Sequence, residues 1–347
     1  MGQFVLLVLK KDVMKAFKVF ESGEPRLRAV ELPEPTPGGG QVAVRVRAAS
    51  LNYRDIMVLT GRYGQMRLPI VPLSDGAGEI AATGEGVTRW KPGDRVAGLF
   101  FQAWKGGNFV REMGHSALGG ELDGMLSEWV VLDQNGVIGF PPHLNFTEAA
   151  TLPCAGLTAW HALVTAGKVS ADQTVLLLGT GGVSIFALQF AKMHGARVII
   201  TSSNDEKLAR ARSLGADETI NYRATPDWEK EVFRLTDKAG VDHVVEVGGR
   251  DTFARSLASL AIGGQVHVVG GVSGFTSELP LGAILGRSAL LRGIHVGSRE
   301  MFQAMNRAMT RHKTKPVVDK IFEFGETPAA YRYLQEGKHF GKVVISI

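Results

Sequence analysis

The sequence predicts an α/β protein in which a doubly wound parallel-sheet domain is inserted into a strand-rich one. Three observations predict it. From Met14 to about Phe140 apolar and polar residues alternate, the period of half-buried strands. From Pro141 to Ser288 apolar strands and helices alternate in units of about 20–25 residues, the pattern of a parallel sheet covered on both faces. Beyond that the mixed texture returns, and the chain ends on a strand. The expected domains are 1–140 with 289–347, and 141–288 between them; residues 1–13 read as an upstream extension.

The elements follow in order. MKAFKVF opens the fold as a strand, and QVAVRVRAASL (41–51), DGAGEIAATGEGV (75–87) and DRVAGLF (94–100) continue it, with Pro92-Gly93 as a turn. Residues 101–123 are irregular and read as a lobe or long loop. TVLLLG (174–179) is a continuous apolar strand, as buried parallel strands are, and VSIFALQFAKMHG (183–195) is a helix with a glycine stop. ARVIITSS, ETINYR, VDHVVEVGG and QVHVVGG are the next strands. DEKLARARSLG, PDWEKEVFRLTDKAG and TFARSLASLAIG are the helices between them. LLRGIHVGS is a strand of the last stretch, SREMFQAMNRAMTRHK a helix, and GKVVISI the terminal strand.

Composition excludes several classes. The chain has 347 residues, 45% of them hydrophobic and 21% charged, enough apolar material for packed cores. Its 39 basic and 34 acidic residues give a net charge of +5, scattered without the basic–aromatic interleaving of a nucleic-acid platform. No nucleic-acid partner is expected. The charge-free stretches Gln173–Ala191 and Ser256–Ser277 are broken by glycines and read as strand, turn and helix, so no membrane span is expected. The start lacks the features of a secretory signal. Cys154 is the one cysteine, which forbids an internal disulfide and any site needing two thiolates. These features fit the cytoplasm.

The strongest motif is Gly179-Thr180-Gly181-Gly182-Val183-Ser184, of the form G-x-G-x-x-G with Ser in the third place. It ends a buried strand, opens a helix and begins a βαβ series, the context a dinucleotide site needs. Gly179 makes the tight turn and Gly181 admits a pyrophosphate. The helix start at Gly182–Val183 offers free N–H groups and a positive dipole end. The next strand ends in Ser202-Ser203-Asn204, where an NAD site usually places an acid. Without that acid, and with Lys207 one turn on, a 2′-phosphate is accommodated, so NADPH is expected over NADH. Ser203 or Asn204 can equally cap the helix.

With these motifs in view, the chain resembles the medium-chain dehydrogenase/reductase superfamily, and within it the zinc-free quinone oxidoreductase branch. The resemblance runs from Met14 to Ile347 and is carried by ASLNYRDI (49–56), GRYG (61–64), LPIVPLSDGAGEI (68–80), GVTRWKPGDRV (86–96) and EAATLPCAGLTAWHAL (148–163). GTGGVS, LGADETINYR (214–223), VGSREMF (296–302) and HFGKVV (339–344) complete it. It implies a GroES-like catalytic domain wrapped around a Rossmann domain, with the substrate cleft between them. At the catalytic zinc-ligand positions of the zinc-dependent branch stand Asn52, Ser74 and Cys154. Asn and Ser are poor zinc ligands, so no zinc is expected.

The resemblance also assigns roles. It implies that Asn52 and Tyr63 line the substrate cleft, as candidates to hold the substrate oxygen. Thr158 would lie near the nicotinamide, Tyr222 beside the adenosine 2′-phosphate, and Gly270-Gly271-Val272 under the nicotinamide ribose. Gly297-Ser298 and Gly341-Lys342 would close the cofactor cleft. The apolar run 279–291 would form a subunit edge, implying a homodimer. Cys154 reads as a packed or cleft-lining thiol. The expected activity is zinc-independent, NADPH-dependent reduction of a quinone or α,β-unsaturated carbonyl. Alcohol–aldehyde interconversion, or NADPH binding with little catalysis, are the alternatives.

Overall fold

The structure, a computed structural model, describes residues 13–21, 26–64, 66–279 and 281–347. Most of the expected extension lies outside them; Val13 already belongs to the first strand. That strand, β1 (Val13–Val19), pairs antiparallel with β2 (Leu27–Pro33).

The catalytic sheet is built on β3 (Gln41–Leu51), whose apolar residues face inward. Its partners are β4 (Asp75–Thr83), β5 (Arg95–Gly98), β6 (Trp129–Asp133) and β7 (Val137–Gly139). Two register shifts between β3 and β4 bend the sheet. Gly78 permits the close approach there, because a Cβ would sit 2.1 Å from the Arg45 carbonyl oxygen.

The inserted sheet follows. Its strands are β8 (Thr174–Leu177), β9 (Arg197–Ser202), β10 (Glu218–Asn221), β11 (Val241–Glu246), β12 (Leu260–Val268) and β13 (Leu290–Gly293). All pair in parallel, in the order β10-β9-β8-β11-β12-β13, the doubly wound arrangement expected. Two details differ from the sequence reading. The helix in TFARSLASLAIG stops at Ala258, and Leu260–Gly264 is already extended, with Gly263 at φ +79° and an irregular register to β11. β13, expected in the last mixed stretch, hydrogen-bonds to β12 and is the sixth strand of this sheet. Pairing across the sheet, not local texture, decides both.

The chain returns through β14 (Val318–Glu323) and β15 (Lys342–Ser346). β15 pairs antiparallel with β3, with Val343 opposite Leu51, giving the order β14-β15-β3-β4-β5-β7. The last strand therefore brings Lys342 beside the residues that follow β3. One apolar core fills the catalytic sheet around Leu51, Leu73 and Leu126. Another runs through both domains, from Phe100 and Trp104 to Phe186, Phe190, Phe302 and Phe340. That shared core fixes the two domains against each other. Among the described residues no helix is long and apolar enough to cross a membrane.

Candidate active site

The glycine loop has the conformation its sequence predicts. Gly179 is left-handed at φ +70°, which glycine adopts without strain. Gly181 precedes the twelve-residue helix Gly182–Met193 and has no side chain to cap it. A Cβ on Gly181 would meet no atom closer than 3.9 Å, so the loop leaves open ground over free backbone N–H groups. A pyrophosphate fits there. Val183 is half-buried and packs on the shared core. Gly182 has a different constraint: a Cβ would lie 2.6 Å from Lys342 Cδ. The amide of Gly341 donates to the Thr180 carbonyl at 2.9 Å, so the HFGKVV segment crosses the loop directly.

At the end of β9, Ser202 is buried and Ser203 half-buried. Asn204 caps the next helix, its Oδ1 accepting from the Lys207 amide at 2.9 Å. The Lys207 ammonium donates to the Gly337 carbonyl at 2.7 Å. Its pKa is lowered by partial burial, against the nearby Asp319 and alongside Arg210. Asp205 accepts from Asn221 Nδ2 at 2.7 Å. Tyr222 is exposed immediately after β10, its amide bonded to the Ser202 carbonyl. The Ser202 and Tyr222 backbones are thus adjacent, Lys207 follows in the first turn of the next helix, and no carboxylate occupies 202–204.

Two groups here escaped the sequence reading. His339 lies beside Gly181, its pKa pushed down to about 4 by burial and by the charges of Lys207 and Lys342. Glu246 is fully buried at the end of β11. Its Oε1 accepts from the amides of Gly248 and Gly249 at 2.7 and 2.9 Å and from Thr252 Oγ1 at 2.7 Å, while Oε2 accepts from Ser256 Oγ. Its backbone carbonyl accepts from the Val269 amide at 2.8 Å. Glu246 therefore organises the paired loops that carry Gly270, Gly271 and Val272. A carboxylate closing the apolar strand VDHVVE was the available signal. Across the cleft, Tyr53 Oη donates to the Val272 carbonyl at 3.2 Å.

Thr158 is buried in the helical run from Leu152 to Ala166. Gly297 packs on that run, since a Cβ would meet Leu157 at 2.6 Å. Ser298 caps the helix Arg299–His312, its Oγ accepting from the Met301 amide at 3.3 Å. Packing and capping therefore account for Gly297 and Ser298.

A buried polar cluster forms where β3 ends. Lys342, expected in the cofactor cleft, sends its ammonium to Leu51 O at 2.6 Å and Asn52 Oδ1 at 2.5 Å. It lies 4.0 Å from the fully buried Asp75 carboxylate. Asp75 also accepts from Ser74 Oγ at 2.7 Å and from the Cys154 amide at 3.2 Å. Burial raises the Asp75 pKa, and the Lys342 charge opposes the rise. Burial also pushes the Cys154 thiol up, with Asp75 adding to the effect, so the thiol is not poised as a nucleophile.

One turn along, Arg54 is buried against two rings, its guanidinium carbon 4.5 Å from the Tyr63 centroid and 4.6 Å from that of Phe100. It donates to Leu118 O at 2.8 Å. Asp55 beside it accepts from the Asn52 amide at 2.7 Å and is pushed up to about 6 by burial, against the Arg54 charge. Asn52 and Tyr63 thus flank one buried polar cluster. Asn52 Nδ2 is buried near Asp75 and makes no well-formed hydrogen bond.

This donor set does not fit a catalytic zinc. The three expected ligand positions meet around Asp75, but they carry an amide, a hydroxyl and one thiol, with a fixed ammonium among them. An ammonium repels a dication, and neutral amide and hydroxyl oxygens cannot replace Cys and His. Among the described residues no group of three or more His, Cys, Asp and Glu is placed to hold a metal.

Comparison with known proteins agrees with this architecture. Residues 38–142 match the family model of the alcohol dehydrogenase GroES-like domain, and residues 182–311 that of the zinc-binding dehydrogenase. The chain is 44% identical to a zinc-type alcohol dehydrogenase-like protein of Schizosaccharomyces pombe, over 94% of this chain and 96% of that one. It is 31% identical to a quinone oxidoreductase of Pseudomonas aeruginosa, over 89% and 92% of the two chains. Among solved structures, an NAD-dependent alcohol dehydrogenase superposes with a TM-score of 0.87 at 36% identity, covering 96% of this chain and 100% of that one.

Proposed function

The chain belongs to the medium-chain dehydrogenase/reductase superfamily and is a nicotinamide-dependent oxidoreductase, and we propose that it reduces a quinone or an α,β-unsaturated carbonyl with NADPH and without zinc. The observation that carries this reading is the Lys342 ammonium bonded to Asn52 among the zinc-ligand positions. An alcohol dehydrogenase of the zinc type uses its metal to hold an alkoxide. This cluster offers neutral donors instead, which suit the delocalised charge of an enolate or hydroquinone oxygen.

The residues divide the work. Gly179, Gly181 and the start of the helix Gly182–Met193 would hold the pyrophosphate, with Ser202, Ser203, Lys207 and Tyr222 around the 2′-phosphate. When bound there, a nicotinamide would supply the hydride that the electrophilic carbon of the substrate accepts, itself becoming oxidised. Two electrons then reside on the substrate, whose oxygen gains negative charge until a proton from solvent completes the reduction. Asn52 Nδ2 and the Tyr63 hydroxyl are the donors to that oxygen. The shared apolar core holds the two domains, and so donors and cofactor helix, in fixed relation.

We also propose a homodimer formed through Leu281–Arg287 and the free edge of β13. Leu281, Leu285 and Leu290 are exposed there by 71%, 82% and 44%, an apolar patch continuous with a strand edge.

The deciding experiment follows NADPH oxidation against a panel of quinones, enones, aldehydes and alcohols, with metal analysis of the same preparation. The expected result is turnover of enones or quinones by protein with far less than one zinc per chain. Turnover confined to alcohols and aldehydes, about one zinc per chain with activity lost to chelator, or tight NADPH binding with no turnover would each overturn the reading.

A further inference from the structure

We propose that Lys342 is the positioning residue of the oxygen-binding site, a fixed cation that decides which end of the Asn52 amide meets the substrate; this rests on the role given to Asn52 above. An ammonium has three donors and no acceptor. The Asn52 atom 2.5 Å from Lys342 Nζ is therefore the amide oxygen. Asparagine orientation is settled only by such partners, and here the partner admits one choice. The amide nitrogen is thereby turned toward the Asp75 carboxylate, where it is buried without a well-formed hydrogen bond. That nitrogen carries two N–H groups; Asp75 faces it as acceptor for one, which leaves the other for an acceptor that arrives with the substrate. A cation on the amide oxygen also polarises the group and strengthens its N–H as a donor.

Lys342 has a second effect through Asp75. That carboxylate is fully buried beside Asn52, and a negative charge there would oppose the charge developing on a substrate oxygen. The ammonium 4.0 Å away balances it. Ser74 Oγ and the Cys154 amide hold the carboxylate in place. Alongside, the Arg54 charge opposes that of Asp55. The cluster can thus present a donor without net negative charge and without a metal.

The sequence supports this placement by packing. Lys342 opens β15, where Val343 pairs with Leu51 and accepts from Ser50 Oγ at 3.1 Å. Its aliphatic stem crosses the first residue of the cofactor helix, at a point where only glycine leaves room. One side chain therefore spans from the pyrophosphate loop to the substrate donor. A lysine that only neutralised a buried acid would respond differently to substitution.

The test uses Lys342→Met, which removes the charge and keeps the stem. It leaves Asp75 unpaired, so the double variant Lys342→Met/Asp75→Asn is made beside it and decides the question if the single variant does not fold. Turnover is measured with whichever enone, quinone or aldehyde the parent reduces, and NADPH affinity by fluorescence titration without substrate. The expected result is a folded double variant whose kcat falls about ten- to a hundredfold, below the roughly hundred- to thousandfold loss of a preorganised donor because water can partly replace it. Its NADPH affinity stays within about threefold of the parent's, since the charge lies on the substrate side. In an Asn52→Ala background, Lys342→Met/Asp75→Asn should cost little more, because both changes remove the same donor. A folded double variant with parental kcat, or losses that multiply fully with that of Asn52→Ala, would overturn the proposal. A parent that reduces only aldehydes overturns the enone reading alone, and the same series on the aldehyde still decides the role of Lys342.

Discussion

The Ser184 hydroxyl donates to the Leu178 carbonyl at 2.7 Å, tying the first turn of the cofactor helix to the end of β8. Ser184 stands where the fingerprint has its third glycine, and it is 1% exposed. The departure from the pattern therefore replaces close packing with a buried hydrogen bond. Restoring glycine should destabilise the protein. Ser184→Ala leaves the Leu178 carbonyl unpaired, at a cost of about 1–3 kcal/mol, and Ser184→Gly should cost about 1 kcal/mol more through its helix propensity. Urea unfolding at constant slope measures both; a glycine variant as stable as the parent would refute the account.

Lys207 has a carbonyl partner in Gly337, which a bound 2′-phosphate would have to replace or share. Lys207→Ala should weaken NADPH binding by about 1–3 kcal/mol, the usual worth of a hydrogen bond to a charged group. NADH binding should barely change. Titration of both cofactors checks this, and equal weakening of the two would show that Lys207 only fastens the Gly337 turn.

Tyr63 holds Arg54 by its ring, and its hydroxyl also interacts with the buried guanidinium, so Tyr63→Phe keeps the ring contact and removes the polar one. Stability should fall by no more than about 1–3 kcal/mol, the usual worth of a hydrogen bond to a charged group. Turnover of an accepted enone should fall about ten- to a hundredfold, less than the largest losses of a preorganised donor because water reaches an open cleft. Asn52→Ala should fall in the same range with NADPH affinity unchanged. Parental turnover in both variants would remove the proposed oxygen site.

Buried histidines set one part of the acid sensitivity. His243 bridges Gln173 at 2.9 Å and His267 at 3.2 Å, and His267 is pushed down to about 3 by burial and by His243. The unfolded chain binds a proton at this residue as pH falls through about 6.5, and the folded chain does not until about 3. The unfolded state therefore holds more protons in that window, and stability falls with pH by up to about 1.4 kcal/mol per unit from this group. His267→Gln should flatten the loss between pH 6 and pH 4. Urea midpoints across that range decide it; parallel slopes in parent and variant would exclude His267 as a source.

Placing charge on the exposed apolar patch tests the dimer. Leu281→Glu with Leu285→Glu should convert a dimeric parent to monomer in light scattering, with little change in monomer fold because both side chains are exposed. A monomeric parent, or a dimer indifferent to both charges, would place the subunit contact elsewhere or nowhere.

What the sequence alone determined is local. The glycine loop was legible because a tight turn, an open backbone and a helix start are properties of consecutive residues. The βα alternation was legible because burial on both faces writes itself as apolar runs. The missing acid after β9 and the unsuitable residues at 52 and 74 could be read one position at a time. Tertiary structure decided the rest. β13 looked like the start of the last stretch, and only its hydrogen bonds to β12 assign it to the parallel sheet. Tyr53 had no readable direction until the cleft placed Val272 opposite it. Lys342 lies 290 positions from Asn52, and no spacing rule connects them. They meet because the final strand pairs with β3, and an ammonium carried into that buried place must spend its donors on whatever acceptors the pairing brings near.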